Sequence, residues 1–275
     1  MKAGFIQFSP EFGNVDANID KAQSMMEKID ADLLVLPELF NTGYLFLSQK
    51  EVYELAEEIP AGKTTNALSK IARRKKIHIV AGIAEREGAK LYNSAVLVAP
   101  DGYVATYRKI HLFNEEKLWF KPGNTDFHVY DLGQFQIGIM ICFDWLFPET
   151  SRVLALKGAD VICHPSNLVL PYCQDAMITR CLENRIFAVT ANRTGCEERS
   201  GKKFKYTGKS QIVSPEAHVL YRATTEDEEV GVAEIDVSLA RNKKINEYNN
   251  LFADRRPEYY QDLVEHGHCL KDSSS

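Results

Sequence analysis

Three residues of this 275-residue chain are of types that carry covalent chemistry, and each stands just past a strand end. Glu38 comes after Leu33-Leu34-Val35-Leu36 and Pro37, Lys109 after Val104–Arg108, and Cys142 after Gln136–Ile141, which is apolar beyond its first residue. Strand ends and the loops beyond them are where a rigid scaffold usually presents reacting side chains. A charged group against a buried strand is costly unless paired. Taken singly, each has a plain structural use: Cys142 as a core filler, Glu38 as a helix cap, Lys109 as part of a solvated basic stretch, Tyr107–His111. His111 alone reads as a hydrogen-bonded structural histidine. Together the three make a nucleophilic set. A thiol needs a base to become thiolate. A glutamate desolvated beside strand ends, its pKa raised toward neutrality, can accept that proton. A lysine ammonium can hold the charge that develops on a carbonyl oxygen or nitrile nitrogen under attack. No histidine with an Asp or Asn orienter stands near these motifs, although such partners can lie far off in sequence.

The elements that must position these residues follow from periodicity. Lys2–Phe8 reads as a strand. Val15, Ile19, Ala22, Met26 and Ile29 fall on one face of a helix that Asn14 or Asp16 can cap. Leu33–Leu36 is a continuous apolar run, which predicts a strand buried on both faces. A second helix spans 64–75, opened by Thr64 or Thr65, with Leu68, Ile71 and Ala72 inward. Strands follow at Ile77–Ile83 and Leu91–Val98, and Asp101-Gly102 is a hairpin signal leading into Tyr103–Tyr107. Gln136–Ile141 is another strand. Phe147-Pro148-Glu149 opens a helix that ends near Gly158. Ala159–Cys163, a helix over 174–186, and strands at Phe187–Ala191, Ser210–Val213, Val219–Tyr221 and Val230–Ile235 complete the pattern. Strands and helices alternate first and hairpins come later, which predicts a layered α/β fold with sheets inside and helices outside. No Pro/Gly/Ser linker or internal repeat divides the chain. Residues 1–262 read as a single domain and 263–275 as a C-terminal tail, frayed from Lys271 to Ser275.

Composition limits the function classes. The chain is 45% apolar and 26% charged, as globular proteins are. Its net charge of −5 leaves no basic footprint for nucleic acid. No apolar run approaches the ~20 residues of a membrane helix, and the opening MKAGFIQFSP does not read as a signal peptide. Neither a Gly-x-Gly-x-x-Gly nor a P-loop pattern supports a nucleotide cofactor. The cysteines are Cys142, Cys163, Cys173, Cys181, Cys196 and Cys269, with no C-x-x-C pair. They are expected to be thiols in a reducing cytoplasm, five of them ordinary and one a nucleophile.

The segments LLVLPELFNTGY (33–44), YRKIHLFNEE (107–116) and GIMICFDWLFPE (138–149) together resemble the nitrilase superfamily, the carbon–nitrogen hydrolases. They stand in the family's order, and the likeness runs from Gln7 to about Tyr260, taking in HPSNL (164–168), ENR (183–185) and DRRPEY (254–259). The resemblance implies Glu38 as general base, Lys109 as electrostatic stabiliser and Cys142 as nucleophile. It places a second glutamate, which positions the substrate and the lysine, at Glu116, with Glu115 the neighbouring alternative. It makes the backbone N–H of Phe143 an oxyanion donor and puts Tyr44, Trp145 and Asn167 in substrate-lining segments.

The implied reaction is hydrolysis of a small nitrile or amide through a Cys thioester, giving carboxylic acid and ammonia, with no metal or organic cofactor. The implied fold is a four-layer αββα sandwich. Plant and bacterial nitrilases carry Trp-Glu after the cysteine, and this chain carries Phe143-Asp144. It looks closer to archaeal-type aliphatic nitrilases and to carbamoylputrescine amidases, whose segment is Trp-Asp-Gln-Trp-Phe-Pro-Glu. An N-carbamoyl substrate bearing a carboxylate would need a cationic clamp; Arg180, Arg185 and Arg193 are the candidates, with structural salt bridges as their other use. A catalytically silent relative that binds a metabolite is the competing class, and the intact Glu38, Lys109 and Cys142 set speaks against it. The family also implies a homodimer or higher homo-oligomer. The 149–158 helix and the segment after Asn246, with Asn249–Phe252 and Pro257–Tyr260, are the candidate contact surfaces.

Overall fold

In a computed structural model, residues 1–265 are described. Cys269 and the 271–275 tail lie outside them. The chain divides into Met1–Arg241 and a smaller unit that begins at Asn242. The first half of the larger unit runs β1 (Lys2–Gln7), α1 (Val15–Glu27), β2 (Leu33–Val35), α2 (Gln49–Leu55), α3 (Lys63–Lys75), β3 (His78–Glu87), β4 (Lys90–Ala99), β5 (Gly102–Arg108) and the one-turn α4 (Glu116–Trp119). Its second half adds β6 (Val129–Asp131), β7 (Gln136–Ile139), α5 (Pro148–Leu156), β8 (Val161–Pro165), α6 (Cys173–Asn184) and β9 (Phe187–Ala191). A hairpin of β10 (Cys196–Arg199) and β11 (Lys202–Lys205) follows, then β12 (Gln211–Val213), β13 (Val219–Arg222), β14 (Glu229–Glu234) and α7 (Ser238–Arg241).

Two six-stranded sheets result, ordered β14-β1-β2-β3-β4-β5 and β13-β12-β9-β8-β7-β6. Each has a parallel centre, β1-β2-β3 in one and β7-β8-β9 in the other, flanked by antiparallel strands. The centres face one another, β1 against β9 and β2 and β3 against β8. Helices α1 and α3 cover the outer face of the first sheet, and α5 and α6 that of the second. This is the expected αββα sandwich. It accounts for the runs without alternation: β2, β8 and β9 have sheet on one side and helix on the other, so every residue in them is buried. The core between α1, α3 and the first sheet gathers Ile6, Phe8, Met26, Leu34, Phe40 and Leu68.

Most elements lie where periodicity predicts, with boundaries shifted by a few residues. Asn14 caps α1, accepting from the Ala17 amide. Neither Thr64 nor Thr65 caps α3. Its N-cap is Gly62, and the Glu57 carboxylate takes both the Thr64 amide, at 2.7 Å, and the Thr64 hydroxyl. A carboxylate brought in by the preceding loop thus does the work of a capping side chain. Strand β7 ends at Ile139 rather than Ile141, because the chain turns out of the sheet to start the 3₁₀ turn Cys142–Leu146. Periodicity missed α2, whose only fully buried residue is Val52, and the β10–β11 hairpin, whose exposed, charged strands carry no apolar alternation. The hairpin's Ser200-Gly201 pair, both at positive φ, is its one sequence signal.

The smaller unit holds 3₁₀ turns at Pro257–Tyr259 and Gln261–Val264. Within it Lys243 sits over the Phe252 ring, and Tyr259 is 71% exposed. Among the described residues no helix is long and apolar enough to cross a membrane.

One packing detail fixes a strand end. Gly82 in β3 receives the Phe40 amide on its carbonyl and donates to Pro37, so the 37–40 segment lies flat on it. A Cβ at Gly82 would stand 2.4 Å from the Glu38 Cα. Gly82→Ala is therefore expected to destabilise the protein by about 1–3 kcal/mol, the usual cost of overpacking against backbone. Urea unfolding measures this, and an unchanged midpoint would show that the segment can move aside.

Candidate active site

Glu38, Lys109 and Cys142 are each placed by the backbone around them. Glu38 lies past β2, with its carbonyl held by the Asn167 amide group at 2.9 Å and Leu39 next to it at φ 49°. Lys109 follows β5 directly; its N–H donates to Asn93 and its carbonyl accepts from Gly123, both at 2.8 Å. Cys142 opens the 3₁₀ turn after β7 at φ 41°, a left-handed conformation that a non-glycine residue adopts only when its surroundings hold it there. One carboxylate joins the last two segments. Asp144, fully buried, accepts from the Tyr107 hydroxyl (2.8 Å), the His111 amide (3.0 Å), the His111 ring Nδ1 (2.7 Å) and the Ile141 amide (2.9 Å). Its donors bracket Lys109 on one strand exit and Cys142 on the other.

The side chains converge on one ammonium. Lys109 Nζ is 2.7 Å from Glu38 Oε1 and 2.8 Å from Glu116 Oε1, with all three residues buried. Asn93 Nδ2 donates to the same Glu38 oxygen at 2.7 Å. The Tyr44 hydroxyl donates to Glu116 Oε1 at 2.7 Å, and the Phe113 amide to Glu116 Oε2 at 3.2 Å. Glu38 Oε2 is buried and has no hydrogen-bond partner among the described residues. Burial alone would lower the Lys109 pKa, but Glu116 and Glu38 outweigh it and raise it above the ordinary lysine value. Burial pushes the Glu116 carboxyl up against the pull of Lys109. Burial, and then the Glu38 charge, pushes the Cys142 thiol well up, with Lys109 and the Asn167 backbone amide opposing. At neutral pH the thiol keeps its proton, so attack needs a base at hand.

Tyr44 is held from behind. Glu197 accepts from the Tyr44 and Leu45 amides and from Arg193, whose guanidinium lies over the Tyr206 ring. Arg193 is thus committed to a buried ion pair. Arg180 pairs with Glu183, and Arg185 closes α6. None of these arginines lines the cleft beside Cys142. That cleft is narrow and is walled by Phe113, Phe143, Trp145, Asn167, Leu168, Val169 and Leu170. Of the two adjacent glutamates, Glu116 meets Lys109, while Glu115 pairs with Lys202 nearer the surface. Among the described residues no group of three or more His, Cys, Asp or Glu is arranged to hold a metal ion.

Sequence reasoning missed Asn93, Tyr107, Gly82, Glu197 and the part played by Asp144. Asn93-Ser94 had a visible signal, two polar residues inside the apolar strand LYNSAVLVA. The others act through contacts between distant segments, for which a single sequence has no sign.

Residues 2–244 match the carbon-nitrogen hydrolase family. The chain belongs to that family. It is a hydrolase of carbon–nitrogen bonds other than peptide bonds. It is 53% identical to the nitrilase of Pyrococcus abyssi over 263 residues, 94% of this chain and 99% of that one. The fold matches a carbon-nitrogen hydrolase from Helicobacter pylori G27 with a TM-score of 0.84, at 24% identity over 97% and 98% of the two chains. It also matches a mutant amidase from Nesterenkonia sp. AN1 that carries acrylamide added at its active-site cysteine. There the TM-score is 0.76, at 25% identity over 96% of this chain and 100% of the other.

The buried ion cluster makes a stability prediction. Lys109→Met leaves Glu38 and Glu116 buried without their cation and is expected to cost about 3–5 kcal/mol in denaturant unfolding, as broken buried pairs do. Wild-type stability in this variant would mean that the carboxylates do not depend on the lysine.

Proposed function

We propose that Glu38, Lys109 and Cys142 are the base, the electrostatic stabiliser and the nucleophile of a hydrolase for small uncharged nitriles or amides. The observation that carries this reading is the division of labour at Glu38: one oxygen tied to Lys109 and Asn93, the other buried, unpartnered. Glu38 takes the thiol proton as Cys142 Sγ bonds to the carbon of the C–N group. Lys109 and the Phe143 amide hold the charge that develops. With an amide, the tetrahedral adduct collapses; the C–N bond breaks, Glu38 returns its proton to the nitrogen, and ammonia leaves a thioester. Glu38 then takes a proton from water, whose oxygen attacks the thioester. The acid departs and the thiol recovers its proton. A nitrile first gives a thioimidate and consumes one further water to reach the same adduct. Glu116, fixed by Tyr44 and Phe113, holds Lys109 in place.

The substrate follows from the cleft. No charged side chain is among its lining residues, and the candidate arginines are engaged elsewhere. Apolar walls favour a short aliphatic or aromatic acyl part over a carboxylate-bearing carbamoyl compound. The 53% identity to a nitrilase favours the nitrile. A homodimer belongs to the same reading: Leu156 on α5 and Leu182 on α6 are 40% and 50% exposed on the outer layer. So does a cytoplasmic site of action, which the free cysteines among the described residues suit.

Ammonia release from a panel of nitriles, amides and carbamoyl compounds tests the function. Small uncharged nitriles and amides are expected to be turned over and carbamoyl acids to lag. Cys142→Ala is expected to lose about 10⁴-fold or more in kcat, as removal of a nucleophile does. Silence of the wild type across the panel would favour a metabolite-binding relative, and full activity of Cys142→Ala would end the mechanism. Sedimentation should return twice the 31.1 kDa chain mass; a monomer at micromolar concentration would contradict the dimer.

A further inference from the structure

His164, at the end of β8, is a fully buried titratable residue that the mechanism above does not use. Its Nε2 lies 3.0 Å from the backbone oxygen of Cys142, and its Nδ1 lies 3.1 Å from Thr190 Oγ1 on β9. A carbonyl oxygen only accepts, so Nε2 carries the proton and Nδ1 accepts from the Thr190 hydroxyl. We propose that His164 is a positioning residue that sets the oxyanion hole by holding the Cys142–Phe143 peptide in one orientation.

The inference rests on the Cys142 nucleophile reading and deepens it. A trans peptide points its C=O and its N–H in opposite directions. Holding the Cys142 oxygen toward β8 therefore turns the Phe143 N–H the other way. Rotation of this peptide plane changes ψ of Cys142 and φ of Phe143, and the hydrogen bond from His164 opposes that rotation from the second sheet's parallel centre. Burial lowers the imidazole pKa to about 4, so the ring stays neutral and keeps the single proton that this bond needs. His164 contacts the nucleophile's backbone rather than its thiol, which separates it from the histidine base of other cysteine hydrolases.

Two reactions of Cys142 separate this role from general damage. Hydrolysis passes through a charged oxygen or nitrogen and needs the Phe143 N–H. Alkylation by iodoacetamide displaces iodide at a saturated carbon and needs no oxyanion donor. His164→Leu is expected to lower kcat by about 10²–10³-fold with KM nearly unchanged, the loss seen when one oxyanion donor is removed. Its Cys142 alkylation rate should stay within about threefold of wild type, and His164→Gln, which can still donate at the Nε2 position, should recover about tenfold or more of kcat. Thr190→Val, a milder change that leaves the ring, should lower kcat with alkylation retained, and it serves if His164→Leu does not fold. The proposal is overturned if kcat is unchanged in the folded variants, or if alkylation falls in step with kcat. Loss of activity in Cys142→Ala together with wild-type kcat in the His164 variants would overturn this assignment alone. Activity surviving in Cys142→Ala would overturn the nucleophile reading on which it rests.

Discussion

The structure depends on one costly placement: the Lys109 ammonium, wholly removed from water, between the carboxylates of Glu38 and Glu116. Desolvating a single ammonium costs several kcal/mol, and each carboxylate adds its own penalty. Such a cluster persists only if every partner is held at hydrogen-bond distance, and its three members come from two loops, the one after β2 and the one that runs from β5 into α4. Much of the fold can be understood as the apparatus that brings those loops together. Parallel strands at the centre of each sheet deliver Glu38 and Cys142 from facing layers, and the antiparallel β5 delivers Lys109.

Around the cluster the supporting contacts share a form, in which one buried polar group ties two segments. Asp144 ties the exit of β5 to the turn after β7. Asn167 reaches across to the Glu38 carbonyl. Glu197 and Arg193 tie the Tyr44 loop to the chain leading out of β9. Well-packed apolar groups in place of such buried charges often leave a protein as stable or more so. What they supply is position, which the reaction needs to within a fraction of an ångström. Burial, and after it the charge of the Glu38 carboxylate, raises the pKa of the Cys142 thiol.

Much of this was legible in the sequence. Continuous apolar runs at Leu33–Leu36, Gln136–Ile141 and Phe187–Ala191 mark strands covered on both sides, and that is enough to infer layers. Glu38 and Cys142 stand out because each is a reactive type placed just past such a run. Less visible were features whose reason lies in another segment. Glu57 caps α3 from outside the helix, so the threonines inside it were misleading. The β10–β11 hairpin carries surface charge on both strands and has no period to detect. Gly82 looks like any strand glycine until the Glu38 backbone is seen lying on it. Lys109 sits in a basic stretch that reads as solvated surface, and only the contacts of Glu38 and Glu116 explain why it is buried.

In the proposed reaction the charge cluster serves a covalent intermediate on Cys142. Intact-protein mass spectrometry of enzyme quenched during turnover of a slow substrate tests it most directly, with peptide mapping of any adduct. A mass gain of one acyl group, borne by the peptide that contains Cys142, is expected. Turnover with no adduct under any quench, or an acyl group on Cys196 or another thiol instead, would contradict it.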